Sequence, residues 1–195
     1  MLEQLGCYMN SSKMAWVADF GAGDNPDPRA NVTVDIRPLK HKRKEHVMAD
    51  LRHPPFRPGS LDMLVSFHTL EHFSHREVEE IFSRWVGTVK PGGFVEVEVP
   101  NLTFSATIIL IATFLGKAVD IHYVYGEQDN ELNLHRAGFT SVSLKRLAEG
   151  LGLIFVRKLP PRLGASYAGL NVGRIISVIM KTALRYLWVK PNSKE

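Results

Sequence analysis

A glycine-containing bend between two short apolar runs constrains this chain more than any other stretch. Residues 15–36 read AWVADFGAGDNPDPRANVTVDI. The first run, residues 15–20, predicts a buried parallel strand, and Gly21 and Gly23 free the backbone for a tight turn close to a ligand. Asp35 ends the second run, where a carboxylate can accept hydrogen bonds from both hydroxyls of a ribose. Because glycine pairs also occur in plain turns, this stretch alone leaves a nucleotide site and a simple turn open.

Three further motifs follow along the chain. Residues 49–51 read ADL, residues 61–73 read LDMLVSFHTLEHF, and residues 89–101 read VKPGGFVEVEVPN. In this order and spacing the motifs resemble those of the class I S-adenosylmethionine-dependent methyltransferases. They resemble in particular the type 11-like branch, which has a D/E-x-G-x-G-x-N-P loop, an H-x-L-E-H segment and a K-P-G-G turn. The resemblance covers roughly residues 15–155, and SFHTLEHF is its most specific part.

The resemblance implies a fold, a cofactor and a set of binding residues. The fold is α/β, a Rossmann-like doubly wound and mostly parallel sheet, and the cofactor is S-adenosyl-L-methionine. By resemblance, Asp50 takes the exocyclic amine of the adenine and Leu51 donates its backbone amide; the alternative is that Asp50 only caps the turn after it. Asn25 stands where many relatives have a third glycine. Phe67 and His68 are expected at the cofactor because they end the fourth strand, where ligands sit in open α/β sheets. The residues expected around the cofactor are Asp19, Gly21, Gly23, Asn25, Asp35, Ile36, Asp50, Leu51, Phe67 and His68.

The connection between the first two strands is short. Only eight residues run from Asp24 to Asn31, and two of them are proline, whereas a parallel crossover with its helix normally takes about a dozen or more. We therefore expect the first helix to be reduced to a turn or to be absent. A dinucleotide would need that helix N-terminus for its phosphates, and S-adenosylmethionine has no phosphate, so the shortening favours the methyl donor.

The spacing of apolar side chains predicts the later elements. Residues 61–68 predict a buried fourth strand, and apolar residues repeat at three and four from Val78 to Val89, which indicates a helix. Glu96 and Glu98 alternate along the expected fifth strand. We interpret them as a sign that one face of the sheet is thinly covered.

The end of the chain departs from the pattern of the resembled family. A helix is predicted over residues 141–152 and a sixth strand over residues 153–159. Apolar residues from 171 to 189 then follow the helical repeat, with basic residues on the other side. This pattern predicts an amphipathic helix and no evident seventh strand, which would leave the sixth strand at an edge of the sheet. Core or dimer packing is the favoured use of this helix, and binding to a membrane surface is the alternative.

Composition indicates an ordinary soluble globular protein. With 195 residues, 45% of them hydrophobic and 23% charged, we expect one domain over residues 1–195. Within it we place a core at residues 15–159, a substrate-side insertion at residues 102–138 and the C-terminal helix at residues 171–189.

The single cysteine and the lack of long apolar stretches limit where such a chain works. Cys7 cannot form an internal disulfide or a cysteine-based zinc site, fits a reducing compartment and counts against methylation at carbon 5 of pyrimidines. No stretch has the length of a membrane span, and the first twenty residues do not read as a signal peptide. A cytoplasmic location is therefore expected.

Histidines are the candidate catalytic groups. An acceptor hydroxyl needs a general base, and a histidine suits that task at neutral pH. Of His68, His72 and His135, the last two rank first because they follow polar turns on the expected open side of the sheet. By resemblance the insertion lines the acceptor pocket; the alternative is a solvated loop in which His135 has a structural role. No metal site is expected, because the acids and histidines do not cluster at ligand spacing along the sequence.

The expected function is methyl transfer to oxygen or nitrogen of a small-molecule, sugar or lipid-linked acceptor. The basic run RPLKHKRKEH at residues 37–46 supports an RNA or protein methyltransferase as the alternative, although a net charge of +4 is only mildly basic. A third alternative is a non-catalytic methyltransferase-like scaffold, which the shortened helix and the missing strand would fit. Expected partners are a small-molecule acceptor and, as alternatives, nucleic acid, a membrane surface or a second copy of the chain.

Overall fold

Seven strands form a single mixed sheet in the computed structural model, which describes residues 15–39, 45–118, 121–162 and 182–192, with the backbone alone at residues 122–123. The strands are β1 (Val17–Phe20), β2 (Val32–Asp35), β3 (Glu45–Met48), β4 (Leu61–Phe67), β5 (Val89–Pro100), β6 (Ile154–Leu159) and β7 (Ala183–Val189). Their order across the sheet is β3-β2-β1-β4-β5-β7-β6. All neighbouring pairs are parallel except the two that β7 makes with β5 and β6. The Rossmann-like, mostly parallel α/β sheet predicted from the sequence is therefore confirmed.

Four helices accompany the sheet in the described part of the chain. They are α1 (Val78–Thr88), α2 (Leu102–Phe114), the single turn α3 (His122–Tyr125) and α4 (Ser141–Gly150). Short 3₁₀ turns lie at Leu70–His72 and Glu131–Asn133. None of the helices in the described residues combines the length and the apolar run that crossing a membrane would require.

The main core lies on one face of the sheet, beneath α1 and α4. The apolar side chains of α1 that repeat at three and four are buried, and Trp85 is fully enclosed. Its ring meets Phe20 of β1 edge-on at 5.4 Å between centroids, and its indole nitrogen donates to the carbonyl of Leu51 at 2.8 Å. Leu144 and Ala148 bring α4 onto the same core. This packing holds the ends of β1 and β4 in register, which fixes the edge where the glycine bend lies.

The opposite face of the sheet is covered by residues 21–31, which we call the glycine loop and which contain only turns. Arg29 of this loop binds Asp27 through two nitrogens, each at 2.9 Å, and reaches Glu96 of β5 at 2.9 Å. Arg185 of β7 donates to the other oxygen of Glu96 at 2.7 Å. The shortened first helix is thus confirmed, and paired charges cover this part of the sheet.

Glu96 and Glu98 do not mark a thinly covered face, so that interpretation is wrong. Both carboxylates are only 1% exposed. Glu96 is paired with two arginines, and Glu98 accepts the backbone amide of Arg162 at 2.8 Å. Burial of a carboxylate is costly without such partners, and here each has them.

The prediction of an amphipathic helix over residues 171–189 without a seventh strand is wrong where the structure describes that range. Residues 183–189 form β7, which pairs antiparallel with both β5 and β6, while residues 171–181 lie outside the described residues. Tyr186 and Trp188 enter the main core, and Leu187 is buried on the other face. A strand buried on both faces carries a continuous apolar run, which periodicity cannot separate from a buried helix. The sixth strand does lie at the edge of the sheet, with β7 on its inner side.

The segment predicted as an insertion starts and ends at the same place on the sheet. Asn101 and Phe139 form a parallel bridge, and the amide of Leu102 donates to the carbonyl of Phe139 at 2.9 Å. Between these points, α2 exposes much of its apolar surface; Leu110 is 58% exposed and Phe114 82% exposed. The insertion therefore lies beside the carboxyl end of β5, at the edge of the sheet where the parallel strands end.

Candidate functional site

The bend after β1 is held by its neighbours on both sides. Gly21 has a φ of +75°, and its amide donates to the carbonyl of Val34 at 2.8 Å. A Cβ atom at Gly21 would lie 2.1 Å from the hydroxyl oxygen of Thr69, which follows β4. Only glycine fits this position, because the backbone conformation and the contact both exclude a side chain.

Asp35 lies at the end of β2, directly beside the bend. One carboxylate oxygen accepts from the amide of Gly23 at 2.9 Å, and the other accepts from the amide of Arg37 at 2.9 Å and from its Nε at 3.3 Å. The side chain of Arg37 is half-exposed, so this longer bond is easily exchanged for another donor. Asp35 is therefore a fixed acceptor whose remaining lone pairs suit hydroxyl groups.

For Asp50 the sequence left two roles open, capping of the turn after it and binding of the adenine amine, and the geometry is compatible with both. One of its oxygens accepts from the amide of Arg52 at 2.9 Å, which is the turn-capping bond. Its side chain is nevertheless 41% exposed and faces the same cavity as Leu51. The cap fixes the carboxylate in place and leaves acceptor positions open toward the cavity.

A single cavity of about 860 Å³ joins these groups. Its size is in the range of pockets that take ligands of nucleoside size with an acceptor. Each of the twelve residues predicted as cofactor-binding or catalytic lines it: Asp19, Gly21, Gly23, Asn25, Asp35, Ile36, Asp50, Leu51, Phe67, His68, His72 and His135. The structure thus brings them together, while the role of each stays a prediction.

Asn25 and Asp19 hold the glycine loop in place from two directions. The carbonyl of Asn25 accepts from the guanidinium of Arg162 at 3.1 Å, and Asn25 does not adopt the left-handed conformation that a third glycine would suggest. The carboxylate of Asp19 is buried and accepts the amide of Asp27 at 2.6 Å. Arg162 also stacks over the ring of Phe67, 4.3 Å from its centroid, which closes one wall of the cavity.

His68 is a strained residue at the end of β4. Its φ is +52°, a left-handed conformation that is uncommon for residues other than glycine. Its ring nitrogens lie 3.4 Å from Glu71 and 3.1 Å from Glu98. Half of the side chain is exposed, so its withdrawal from water is partial; this works against the charged imidazolium, but the two carboxylates outweigh it and raise the pKa of His68 to about 10. His68 is therefore a cation at neutral pH and is poorly suited to act as a general base.

Glu71, His72 and His135 form a cluster that sequence spacing did not reveal. One possible ligand atom from each lies within 4.8 Å of those of the other two. The spacing along the sequence, which gave no reason to expect a metal site, does not show this cluster, because the fold brings His135 from the insertion against the turn after β4. Contact with His68 lowers the pKa of Glu71 although burial works to raise it, and burial lowers the pKa of His135.

Backbone hydrogen bonds tie the insertion to this turn. The amides of Arg136 and Ala137 both donate to the carbonyl of Glu71, at 2.8 and 3.0 Å. Nδ1 of His72 lies 3.0 Å from the carbonyl of Leu134 and must donate to it, which leaves the lone pair of this imidazole on Nε2. The rings of His72 and His135 then face each other with centroids 5.3 Å apart.

Sequence reasoning missed several groups that shape the site. Glu71 lies inside the H-x-L-E-H motif, so its position in that segment was a usable signal. Glu98 was visible as an acid in a buried strand, which indicates a buried partner such as His68. Thr69 and Arg162 gave no signal, because their contacts with Gly21 and Phe67 depend on the folded chain.

Comparison with known proteins agrees with this geometry. Residues 26–97 match the family model of a methyltransferase domain. No curated protein sequence matches the chain. Solved structures similar to it include an S-adenosylmethionine-dependent methyltransferase from Mesorhizobium loti, with a TM-score of 0.62 and 13% identity over 96% of this chain and 96% of that one.

Two further solved structures have similar statistics. The Burkholderia thailandensis 1,6-didemethyltoxoflavin-N1-methyltransferase, with bound 1,6-didemethyltoxoflavin and S-adenosylhomocysteine, has a TM-score of 0.59 and 15% identity over 98% of this chain and 84% of that one. A Haloferax volcanii methyltransferase in complex with a methyltransferase activator has a TM-score of 0.60 and 12% identity over 98% and 89%. At such identities these likenesses show the fold. The match to a methyltransferase domain covers residues 26–97, and the likeness to solved methyltransferase structures extends the same fold over nearly the whole chain.

Proposed function

We propose that this chain is an S-adenosylmethionine-dependent methyltransferase that acts on oxygen or nitrogen of a small-molecule, sugar or lipid-linked acceptor. The observation that carries the proposal is the single cavity, which joins the glycine bend, Asp35 and Asp50 to the pair His72 and His135. The first group suits a nucleoside and the second suits a reacting acceptor. Both ends of a methyl transfer therefore have residues of the right chemistry within one cavity.

The proposed cofactor arrangement follows from acceptors and donors already described. Asp35 accepts the ribose hydroxyls, Asp50 accepts the adenine amine, and the bend at Gly21 and Gly23 brings backbone close to the amino acid part. When bound, S-adenosylmethionine supplies a methyl group on a positively charged sulfur. The residues of the chain mainly hold and orient the two reactants, and orientation of this kind can contribute roughly 7–11 kcal/mol to lowering a barrier.

The acceptor side of the cavity combines polar and apolar surface. His72 and His135 lie there, and neutral His135 can accept a proton from an acceptor group. The insertion that carries His135 also contains α2, which exposes Ile111, Phe114 and other large apolar side chains, although no residue of α2 lines the cavity. An exposed apolar surface in this segment supports an acceptor with an apolar part, such as a lipid-linked one.

The charge of the cavity argues against an RNA acceptor. Among the described lining residues, seven are acidic and four are arginine. A groove for a phosphate backbone needs an excess of cations, because each phosphate carries a charge that must be neutralised. The Burkholderia thailandensis enzyme, which is named for a small-molecule acceptor, agrees with the same choice.

Methyl uptake tests this proposal directly. The full chain is incubated with tritiated S-adenosylmethionine and with separate small-molecule, lipid and RNA fractions. We expect label in the small-molecule or lipid fraction, and none with Asp35→Ala. The matched control is Asp62→Ala, which removes a carboxylate that binds Lys90 and does not line the cavity. Label only in RNA or protein would reject the proposed acceptor class, and a chain that binds the cofactor but labels nothing would favour the scaffold.

A further inference from the structure

Glu71 is a buried carboxylate that the cationic ring of His68 compensates through one long contact. Its side chain is 1% exposed, and neither carboxylate oxygen has a hydrogen-bond partner. The charged contact it does make is a long one, 3.4 Å from Oε1 to Nδ1 of His68. A buried carboxylate without hydrogen bonds is costly, and a carboxylate that persists in this state usually coordinates a metal or meets a second charge.

The groups around Glu71 have the chemistry of metal ligands. One possible ligand atom each from Glu71, His72 and His135 lies within a common distance of 4.8 Å. The bond from Nδ1 of His72 to the carbonyl of Leu134 leaves Nε2 with the lone pair, which is the arrangement that supports metal-binding histidines. The amides of Arg136 and Ala137, which follow His135 in the insertion, donate to the carbonyl of Glu71 and so hold His135 close to Glu71. Backbone hydrogen bonds therefore hold the segments that carry the three groups against one another.

We propose that Glu71, His72 and His135 hold one divalent cation at the acceptor end of the cavity, with open coordination positions that take an oxygen of the methyl acceptor. Two imidazoles and one carboxylate favour a first-row ion such as Mn²⁺, Fe²⁺ or Zn²⁺ over Mg²⁺ or Ca²⁺, which prefer oxygen ligands. Three protein ligands leave positions for water or substrate. This inference rests on the proposed function and narrows its acceptor to a hydroxyl compound.

The chemistry follows from the effect of the cation on the acceptor. A hydroxyl bound to a divalent cation loses its proton more readily. Because His135 binds the cation in this arrangement, it does not act as the base, and the proton passes to solvent. The resulting oxygen attacks the methyl carbon and forms the new carbon–oxygen bond. The carbon–sulfur bond breaks, and its electron pair returns to sulfur, which becomes a neutral thioether.

Metal titration of the full chain tests the site without any need for the acceptor. Calorimetry with Zn²⁺ should give one binding event for the wild type, and Mn²⁺ should be bound as judged by loss of the free-ion signal in electron paramagnetic resonance. His135→Ala and Glu71→Gln should weaken binding at least tenfold, since even the loss of an outer partner costs about 10–100-fold. His75→Ala, which removes an exposed histidine of the neighbouring turn, should bind as the wild type does.

Binding of S-adenosylhomocysteine to the same samples separates the two proposals. A wild type that binds S-adenosylhomocysteine but no metal would overturn the metal site alone, and so would His135→Ala binding metal as tightly as the wild type. A wild type that binds metal but not S-adenosylhomocysteine would overturn the proposed function. Circular dichroism shows whether each variant folds. If Glu71→Gln does not fold, metal binding by His135→Ala decides the result, because His135 is only half-buried and its loss disturbs the fold less.

Visible absorption of a bound Co²⁺ ion tests whether the proposed site leaves coordination positions free for an acceptor oxygen. The Co²⁺-loaded chain should show visible absorption bands that shift when acetohydroxamate, a bidentate oxygen ligand, is added. Bands that do not move would show a closed site and overturn the role assigned to the acceptor oxygen.

Discussion

Gly21 illustrates how one residue decides the shape of the cofactor end of the cavity. Its φ of +75° turns the chain back toward β2, and Thr69 fills the space where a side chain would be. The backbone therefore lies at the cavity wall with nothing between it and a ligand. Asp35 depends on this bend as well, because it accepts the amide of Gly23.

Replacing Gly21 by alanine should destabilise the fold through a steric clash. The matched control is Gly152→Ala, since Gly152 has a φ of +78° but a Cβ atom added there would meet no other atom within 4 Å. Gly152→Ala should cost about 1–2 kcal/mol for its left-handed backbone. Gly21→Ala should cost about 1–3 kcal/mol more, because Thr69 must be displaced. Urea denaturation measures both, and equal costs would contradict the clash.

At the scale of elements, two parts of the chain support the sheet in different ways. One is the strand β7, and the other is the glycine loop that covers one face in place of a helix. β7 lies between β5 and β6 and buries side chains on both sides, including Trp188 in the main core. The glycine loop replaces a helix with the ion pairs of Arg29. One element stabilises the fold by apolar burial and the other by paired charges.

Truncation of Trp188 tests the contribution of β7. Trp188 is fully buried, so Trp188→Ala should lower the free energy of unfolding by about 3–5 kcal/mol. Trp16→Ala is the control, because Trp16 is 55% exposed and its loss should cost within about 0.5 kcal/mol. Thermal or urea denaturation separates the two variants. Similar stabilities would show that β7 does not form part of the core.

The glycine loop should make stability depend on acid pH through Asp27. Burial works to raise the pKa of this carboxyl, but its bonds to Arg29 outweigh burial and lower the pKa below its usual 3.8. A carboxyl with a lowered folded pKa stabilises the fold above the unfolded pKa. That stabilisation is lost as the pH falls through the folded value.

Asp27→Asn should therefore flatten the acid limb of the stability profile. Urea denaturation from about pH 7 down to about pH 3 should show a smaller loss of unfolding free energy for the variant than for the wild type, although the variant is less stable at neutral pH. Parallel profiles for the two proteins would show that Asp27 has no lowered pKa in the folded state.

At the scale of the whole molecule, the fold converts separated motifs into one cavity. The ends of β1, β2 and β4 line the proposed cofactor end, and the insertion, joined to the sheet at Asn101 and Phe139, brings His135 to the proposed acceptor end. The contacts that close the cavity are long-range. Nδ1 of His72 and the carbonyl of Leu134, for example, are 62 residues apart in sequence.

The sequence predicts those elements and site residues that a pattern of neighbouring residues indicates. The helix beginning at Val78 shows its apolar repeat. Eleven of the twelve candidate residues follow from motifs at or just after strand ends, His135 follows from the insertion, and all twelve line the cavity. β7 could not be predicted from its pattern, because a doubly buried strand and a buried helix have the same apolar run. The clustering of His135 with Glu71, and the pairing of Arg29 with Glu96, arise only when distant segments meet.

Calorimetric titration of S-adenosylhomocysteine into the full chain is the sharpest test of the site, because every role assigned above depends on a nucleoside binding in the cavity. We expect a single binding event in the wild type. Asp35→Ala, which removes the proposed acceptor for the ribose hydroxyls, should abolish or strongly weaken it, and Asp62→Ala should leave it unchanged. No binding by the folded wild type, or equal binding by Asp35→Ala, would show that the cavity does not hold the cofactor in this way.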